Sequence, residues 1–373
     1  MKRSNILPET VLKLWALAAG RCEFLGCNEP LWRDGLTLQE ANLSHIAHII
    51  AASPNGPRGD RIESKKMERD FSNLILVCSK HHKLIDNKKL VKKYSVGLLR
   101  DFKRLHEERI SIQTSIQENM ATTILIFKAN IGDCMVEIPF DQICQSIYPK
   151  YPSDDKGIEL DFTKHSGEGD KHFWNSFKDE ISSQIKLNLR KSKINNLSVF
   201  ALAPIPLLIQ LGKCLGNKIS SDIYQRHRDA QDWIWKKNAA GKSFRYIVKK
   251  RCINSKNKKI VLILSLSGKI HHNEIKDLIG KKVARYEITI ERPSPNFLKT
   301  RKHLLKFKEI YRNLISEIRS KHGPKCQIHL FPAIPAPIAV LCGQELLPKS
   351  DPQLYIYDYN KEKNGFRFIF NIN

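Results

Sequence analysis

The segment VFALAPIPLLIQLG, Val199 to Gly212, reads as an apolar strand that enters a Pro-x-Pro turn and leaves it as an apolar helix. Its mostly apolar run, Val199 to Leu211, is 13 residues long and interrupted by Pro204, Pro206 and Gln210, short of the roughly 20 that a membrane-spanning helix needs. A second copy follows at a separation of 131 residues: LFPAIPAPIAVLCG, Leu330 to Gly343, puts Pro335, Pro337 and Gly343 in the places of Pro204, Pro206 and Gly212. A lysine-rich amphipathic helix precedes each copy, over 171–191 and 299–321. Repeated strand-turn-helix units of this kind predict a duplicated α/β domain whose strand-end turns border a ligand crevice. The alternative is chance recurrence of common turn residues.

Around these copies, TTILIFKA (Thr122 to Ala129), IELDF (Ile158 to Phe162) and LSVFAL (Leu197 to Leu202) alternate with helical patterns, which argues α/β from residue 117 to residue 373. VLILSLSGK, Val261 to Lys269, is an apolar strand opening into small hydroxyls and a cation, so Ser265, Ser267 and Lys269 are candidate phosphate contacts, although no GxxxxGK[ST] loop occurs. IYQRHRDAQDWIWKK, Ile223 to Lys237, sets Arg226 near Trp235, a pairing suited to holding a nucleotide by charge and stacking. A buried Trp and a solvated Arg are the plainer reading of each. Lys164 and Pro204 join the candidate ligand-binding set by loop position.

The 373 residues are 41% hydrophobic and 27% charged, enough for packed cores and two domains, and bulk disorder is excluded. Lys and Arg outnumber Asp and Glu by 63 to 38; of the resulting +25, residues 1–118 hold +6 and residues 119–373 hold +19. Such an excess points to a polyanionic partner, nucleic acid or a phosphorylated ligand, or else to solvated lysine faces. The start, MKRSNILPET, runs into no export-type apolar segment, so a cytoplasmic protein without a membrane partner is expected.

Of nine cysteines, Cys134, Cys144, Cys214, Cys252, Cys326 and Cys342 show no paired spacing and are expected to be reduced core thiols. Cys22, Cys27 and Cys78 instead lie near histidines. Cys22 and Cys27 flank a turn containing Gly26, and Cys78 pairs with His81 after the strand-like stretch Asn73 to Val77. Together these four make a Cys3His set suited to a structural Zn2+, the alternative being two unrelated pairs of buried thiols. A helix over 8–19 precedes them, a strand over 42–50 and the loop SPNGPRGD (Ser53 to Asp60) lie between them, and a helix over 95–112 follows. In CSKHHKLIDN, Cys78 to Asn87, His82 and Asp86 are four apart and share a helix face, where they can grip a divalent ion. His48, at the strand's end, is then placed to deprotonate a water while the ion stabilises the departing oxyanion of a phosphodiester.

These pieces, over roughly residues 10–112, resemble the HNH endonucleases. The resemblance implies an α+β domain of ββα-metal type with a zinc knuckle over 1–116, in which His48 is the general base, Asn73 orients the loop carrying it, and His82 with Asp86 holds Mg2+ or another divalent ion. The sequence departs from that pattern at Ala47, where many relatives carry a further metal ligand; His45, water or a substrate phosphate could replace it. His45 reads equally well as packed on the strand's other side, and His81 and His82 could exchange roles.

Residues 117–373 resemble a SAVED domain, two fused CARF-like Rossmann-type units that sense cyclic oligonucleotides, on LAPIPLLIQLG, IYQRHRD-x3-WxW and PAIPAPIAVLCG. The order HNH then SAVED resembles the effector nucleases of CBASS antiphage systems. That implies a bacterial cytoplasmic endonuclease cutting double-stranded DNA in abortive infection, activated by a cyclic di- or trinucleotide from a partner synthase. It also implies a homo-oligomer, a dimer at rest and a tetramer or higher when activated. Without the second resemblance, the residues allow a restriction-type HNH enzyme with a C-terminal DNA-reading domain, or an inert zinc-knuckle DNA-binding module.

Overall fold

The computed structural model describes the chain apart from residues 1–5, 133, 165–170, 192–193, 238–243, 252–257, 281–282 and 361–363. The chain divides into two units, Met1–Gln117 and Glu118–Asn373.

In the first unit, proline at the first helical position, where its missing N–H costs nothing, opens α1 (Pro8–Leu17). The helix stops two residues short of the expected end because Ala19 and Gly20 both take left-handed backbone (φ 51° and 64°). β1 (Ser44–His48), α2 (Glu63–Lys66), β2 (Leu74–Cys78), α3 (Ser79–Ile85) and α4 (Val96–Thr114) follow. β1 is shorter than the sequence predicts because the Asn42 side chain accepts from the Ser44 amide in a turn that starts the strand. β1 and β2 are antiparallel, Ser44 facing Cys78 and His48 facing Leu74. Every residue of β2 is buried, which explains its unbroken apolar sequence. Ser95 caps α4 by accepting from the Leu98 amide. The core gathers Leu31, Ile49, Ile75, Val77, Ile85, Leu99 and Phe102 between the two strands and the flanking helices.

The second unit runs β3 (Ala121–Lys128), α5 (Phe140–Ile147), β4 (Tyr151–Pro152), β5 (Ile158–Asp161), α6 (Lys171–Lys191), β6 (Asn196–Leu202), α7 (Ile205–Leu215) and β7 (Ser220–Ile223). It continues with β8 (Ile247–Arg251), β9 (Lys259–Ser265), α8 (Lys276–Ile279), β10 (Ala284–Thr289), α9 (Arg301–His322), β11 (Gln327–Ala333), α10 (Ala336–Gln344), β12 (Gln353–Asn360) and β13 (Gly365–Ile372). One sheet has the order β4-β3-β6-β7, with β5 also pairing β3; the other has β13-β12-β11-β9-β10-β8. The order β5-β3-β6-β7 of the first recurs as β10-β9-β11-β12 in the second, parallel throughout in both. β8 and β13 add antiparallel edges to the second sheet.

The 131-residue repeat is therefore structural. Shifted by that interval, β6 falls on β11 residue for residue and the start of α7 falls on the start of α10. Pro204 and Pro335 are the N-caps, with Pro206 and Pro337 in the first turn. α7 and α10 pack directly on each other at Gly212 and Gly343. A Cβ on Gly212 would run into the Val340 carbonyl, and one on Gly343 into the Ile209 carbonyl. The contact is thus reciprocal about a pseudo-two-fold axis, and only glycine leaves room for it. A single apolar cluster, including Leu125, Val199, Leu208, Leu262, Leu330 and Ile338, unites the two sheets.

Cys326 and Cys342 are buried and Cys144 and Cys214 half-buried, but Cys134 is exposed, which corrects its reading as a core thiol. It sits in a two-residue bridge with Ile131 beyond the end of β3, where the strand pattern has already given way to loop. Cys252 lies outside the described residues. Among the described residues, no helix is long and apolar enough to cross a membrane.

Candidate functional site

Two chain segments meet at the start of α3. The knuckle Cys22–Cys27 is closed by hydrogen bonds from the Cys22 amide to the Glu29 carbonyl (3.0 Å) and from the Cys27 amide to the Phe24 carbonyl (2.9 Å), with Gly26 supplying positive φ. The Cys78 amide donates to Cys22 Sγ at 3.3 Å. His81 Nδ1 lies 3.2 Å from Cys78 Sγ and 3.6 Å from Cys22 Sγ, and the ligand atoms of Cys22, Cys27, Cys78 and His81 all lie within 4.8 Å of one another. Bonds of about 2.3 Å to sulfur and about 2.0 Å to nitrogen at tetrahedral angles give a sulfur–nitrogen spacing of about 3.5 Å, so this donor set fits zinc. Burial pushes the Cys22 and Cys78 thiols up and the His81 imidazole down. The neutral imidazole already offers the lone pair a metal takes, whereas the thiols must release their protons on binding, so metal uptake here would be pH-dependent. The Phe24 ring stacks on His81 at 3.9 Å and fixes its plane.

Because consecutive helical residues point about 100° apart, His82 turns away from the cysteines. Its Nε2 lies 3.4 Å from Asp86 Oδ2, and its ring stacks on His45 at 4.7 Å. His45 is exposed, on the His82 side of β1, and its Nε2 bonds to Ser79 Oγ at 2.9 Å. Ala47, two residues on and hence on the same strand face, is buried. Among the described residues, three or more His, Cys, Asp or Glu ligand atoms gather within 4.8 Å only at the Cys3His set. His82 and Asp86 are thus a two-residue platform, and His45 stands beside it as a stacking partner.

His48 is half-buried, with Nε2 2.9 Å from the Glu68 carbonyl oxygen. A carbonyl only accepts, so Nε2 carries the proton and Nδ1 of the neutral ring keeps its lone pair, the arrangement a general base requires. Asn73 is fully buried: it donates to the Ile50 (2.9 Å) and Met67 (3.1 Å) carbonyls and accepts from the Ile50 amide (2.7 Å), clamping the chain just after His48.

Arg58 has no counterpart in the sequence reading. From a left-handed backbone position (φ 57°) it donates Nε to the Ile49 carbonyl and Nη1 to the Ile85 carbonyl, both at 2.6 Å. It thereby ties the strand end after His48 to the helix end before Asp86, whose charge it also feels. Its sequence signal is slight, an Arg between Pro57 and Gly59 in a loop folded back so tightly that Gly59 has no space for a Cβ.

In the second unit the candidate ligand residues sit at or beyond the ends of parallel strands: Lys164 after β5, Pro204 after β6, Arg226 and Trp235 after β7, Ser265 as the last residue of β9, and Ser267 and Lys269 after it. Lys164 and Lys269 are exposed, while Ser267 is half-buried and its amide donates to the Ala333 carbonyl at 2.7 Å. Ser265 is fully buried, its hydroxyl accepting from the Ile270 amide at 3.4 Å, so it shapes the turn. Arg226 donates to Gln142 Oε1 at 3.0 Å and to the Gln231 carbonyl. Trp235 is half-buried against the main core and edge-on to His227 at 5.9 Å. Sequence reasoning also missed Asp222, a buried carboxylate that accepts Lys150 (2.7 Å) from one half and Arg301 from the other.

The second unit is thus a duplicated α/β domain with matched strand ends about a pseudo-two-fold axis. The family model for SAVED, the SMODS-associated and fused to various effectors sensor domain, matches residues 177–372, more than half of the chain, and the chain belongs to that family. No curated protein matches it. Among solved structures, it is similar to the Acinetobacter baumannii Cap4 SAVED/CARF-domain containing receptor with the cyclic trinucleotide 3'3'3'-cAAA, at 14% identity and a TM-score of 0.46, covering 85% of this chain and 68% of that one. The same receptor with 2'3'3'-cAAA gives 16% identity and a TM-score of 0.47, over 84% and 66%. The Moraxella osloensis Cap4 receptor gives 15% and 0.43, over 77% and 60%. The chain spans about two thirds of the length of these proteins.

Proposed function

We propose that the chain is a metal-dependent endonuclease for double-stranded DNA whose activity is gated by a cyclic oligonucleotide, and that it acts as an effector of antiphage signalling. The observation that carries the reading is the pairing, on one ββα frame, of a His48 tautomer with a free Nδ1 lone pair and the His82–Asp86 platform. In this account His48 Nδ1 takes the proton of the attacking water, and the imidazolium so formed is stabilised through Nε2–H on the Glu68 carbonyl. Asn73 and Arg58 hold the strand end so that the base stays oriented through the proton transfer. A divalent ion on His82 and Asp86 would supply Lewis-acid stabilisation of the charge that builds on the phosphate. Zinc on Cys22, Cys27, Cys78 and His81 would pin the knuckle to the start of α3.

The gate is the SAVED domain. Its two matched rows of strand ends suit a ligand that repeats a nucleotide unit, and the +19 charge of residues 119–373 suits a cyclic di- or trinucleotide, supplied by a dedicated synthase. Ligand binding would assemble dimers into tetramers or larger oligomers. The test is digestion of supercoiled plasmid by the purified chain with Mg2+, with and without a panel of cyclic di- and trinucleotides, beside His48→Ala. One compound should switch cleavage on for the wild type and for it alone. Constitutive cleavage indifferent to every compound would refute the gate, and cleavage by His48→Ala would refute the base.

A further inference from the structure

The segment from Ser79 to Lys93 carries six lysines, Lys80, Lys83, Lys88, Lys89, Lys92 and Lys93, against one acid, Asp86. The other 14 basic and 13 acidic side chains of residues 1–118 almost cancel, so this ridge supplies nearly all of that region's +6. All six lysines are exposed, and among the described residues none makes an ion pair. The contrast with α4 is direct: there Lys103 is paired with Glu23 and Glu107, and Arg104 with Asp101 and Glu108. Six unpaired like charges on 15 residues repel one another, and solubility alone gives no reason to concentrate them there. Their position does: Lys83 shares the exposed face of α3 with Ser79, His82 and Asp86 at spacings of three and four residues, and Lys88 to Lys93 continue the ridge directly beyond Asp86.

We propose that this ridge is the track for the phosphate backbone of duplex DNA, delivering a phosphate to His82 and His48; the proposal rests on the nuclease reading above. Lysines engaged on backbone phosphates act as point charges and carry no sequence information, so the track holds duplexes of any sequence.

The test is fluorescence anisotropy of a labelled duplex with the full chain, without added divalent ion, across a salt series. Lys88→Gln/Lys89→Gln/Lys92→Gln is compared with Lys249→Gln/Lys250→Gln/Arg251→Gln on β8. If the three ridge lysines each neutralise a phosphate, their removal makes the log–log salt slope shallower by about 2.7. Between roughly 50 and 200 mM salt the wild-type affinity then falls about fortyfold more than that of the variant. The ridge variant keeps the wild-type melting temperature, and the β8 variant keeps the wild-type slope. An unchanged slope in the ridge variant overturns the track, as does tighter binding of single-stranded RNA than of duplex. A chain that loses slope with the ridge lysines yet never cuts DNA overturns the nuclease reading and leaves the track standing. A chain that cuts DNA with its slope unaltered by the ridge substitutions overturns the track alone.

Discussion

Replacing Gly212 by Ala is expected to force α7 and α10 apart. A Cβ at Gly212 would lie 2.7 Å from the carbonyl carbon of Val340 and 2.8 Å from the Gln344 amide nitrogen. Non-bonded carbons settle at about 3.5–4.0 Å, so the seam must open by about 1 Å. Leu208, Ile209, Leu211, Val340 and Leu341, all buried along that seam, then forfeit about a quarter to a half of each contact across it. Overpacking at such a site costs about 3 kcal/mol, and alanine's better helix propensity returns about 1, leaving a net loss of about 2 kcal/mol. For a unit of this size that lowers Tm by about 4–8 °C, measurable by calorimetry and checked by urea unfolding. Gly343→Ala meets the Lys213 amide at 2.7 Å and the Ile209 carbonyl carbon at 2.8 Å, so its cost should match. The double variant should cost clearly less than the sum, by about 1 kcal/mol, because both methyls enter the same opened seam. Single variants within about 0.5 kcal/mol of wild type, or strictly additive ones, would refute the reciprocal contact.

Other outcomes follow from the same geometry. Purified chain should carry about one zinc ion, lost in Cys78→Ala together with the thermal transition of the N-terminal unit; elemental analysis and calorimetry of a metal-free but fully folded variant would contradict this. Arg58→Lys keeps the charge but cannot reach the Ile49 and Ile85 carbonyls together, and should destabilise the N-terminal unit by about 1–3 kcal/mol and slow plasmid nicking, with a wild-type melting curve the opposing result. Burial, with a lesser contribution from Lys259, pushes the His329 imidazole down to about 4 from 6.5. The neutral ring is thus favoured in the fold: its contribution is complete above pH 6.5, declines as pH falls towards 4, and amounts to about 3 kcal/mol in all. His329→Gln should therefore flatten the fall in urea midpoint between pH 7 and 5, and an unchanged fall would exclude His329 as its source.

The sequence carried the features that fix backbone or bring ligand atoms together over short spans. Pro204, Pro206 and Gly212 mark one turn and one helix approach, and because Pro and Gly constrain the chain whatever their neighbours, their recurrence 131 residues on was readable as a duplication. The Cys22–Cys27 knuckle and the Cys78–His81 and His82–Asp86 spacings were readable for a similar reason, since a tight turn and one or two turns of helix set those distances. Arg58 was not, because its partners are main-chain carbonyls 9 and 27 residues away and every residue type offers one. Asp222 meets Lys150 and Arg301 at separations of 72 and 79 residues, which no local pattern encodes. Ser265 shows a further limit: a hydroxyl at a strand end reads identically whether it faces a crevice or caps its own turn, and here it caps.

The central claim is that occupancy of the SAVED domain governs chemistry at His48. The direct measurement is a paired titration of the activating cyclic oligonucleotide, following binding by calorimetry and plasmid nicking rate in the same Mg2+ buffer, with His48→Ala in parallel. The account predicts one half-maximal concentration for binding and nicking in the wild type, and unchanged binding with no nicking in the variant. Nicking that saturates without ligand, or ligand binding that leaves the nicking rate unmoved, would contradict it.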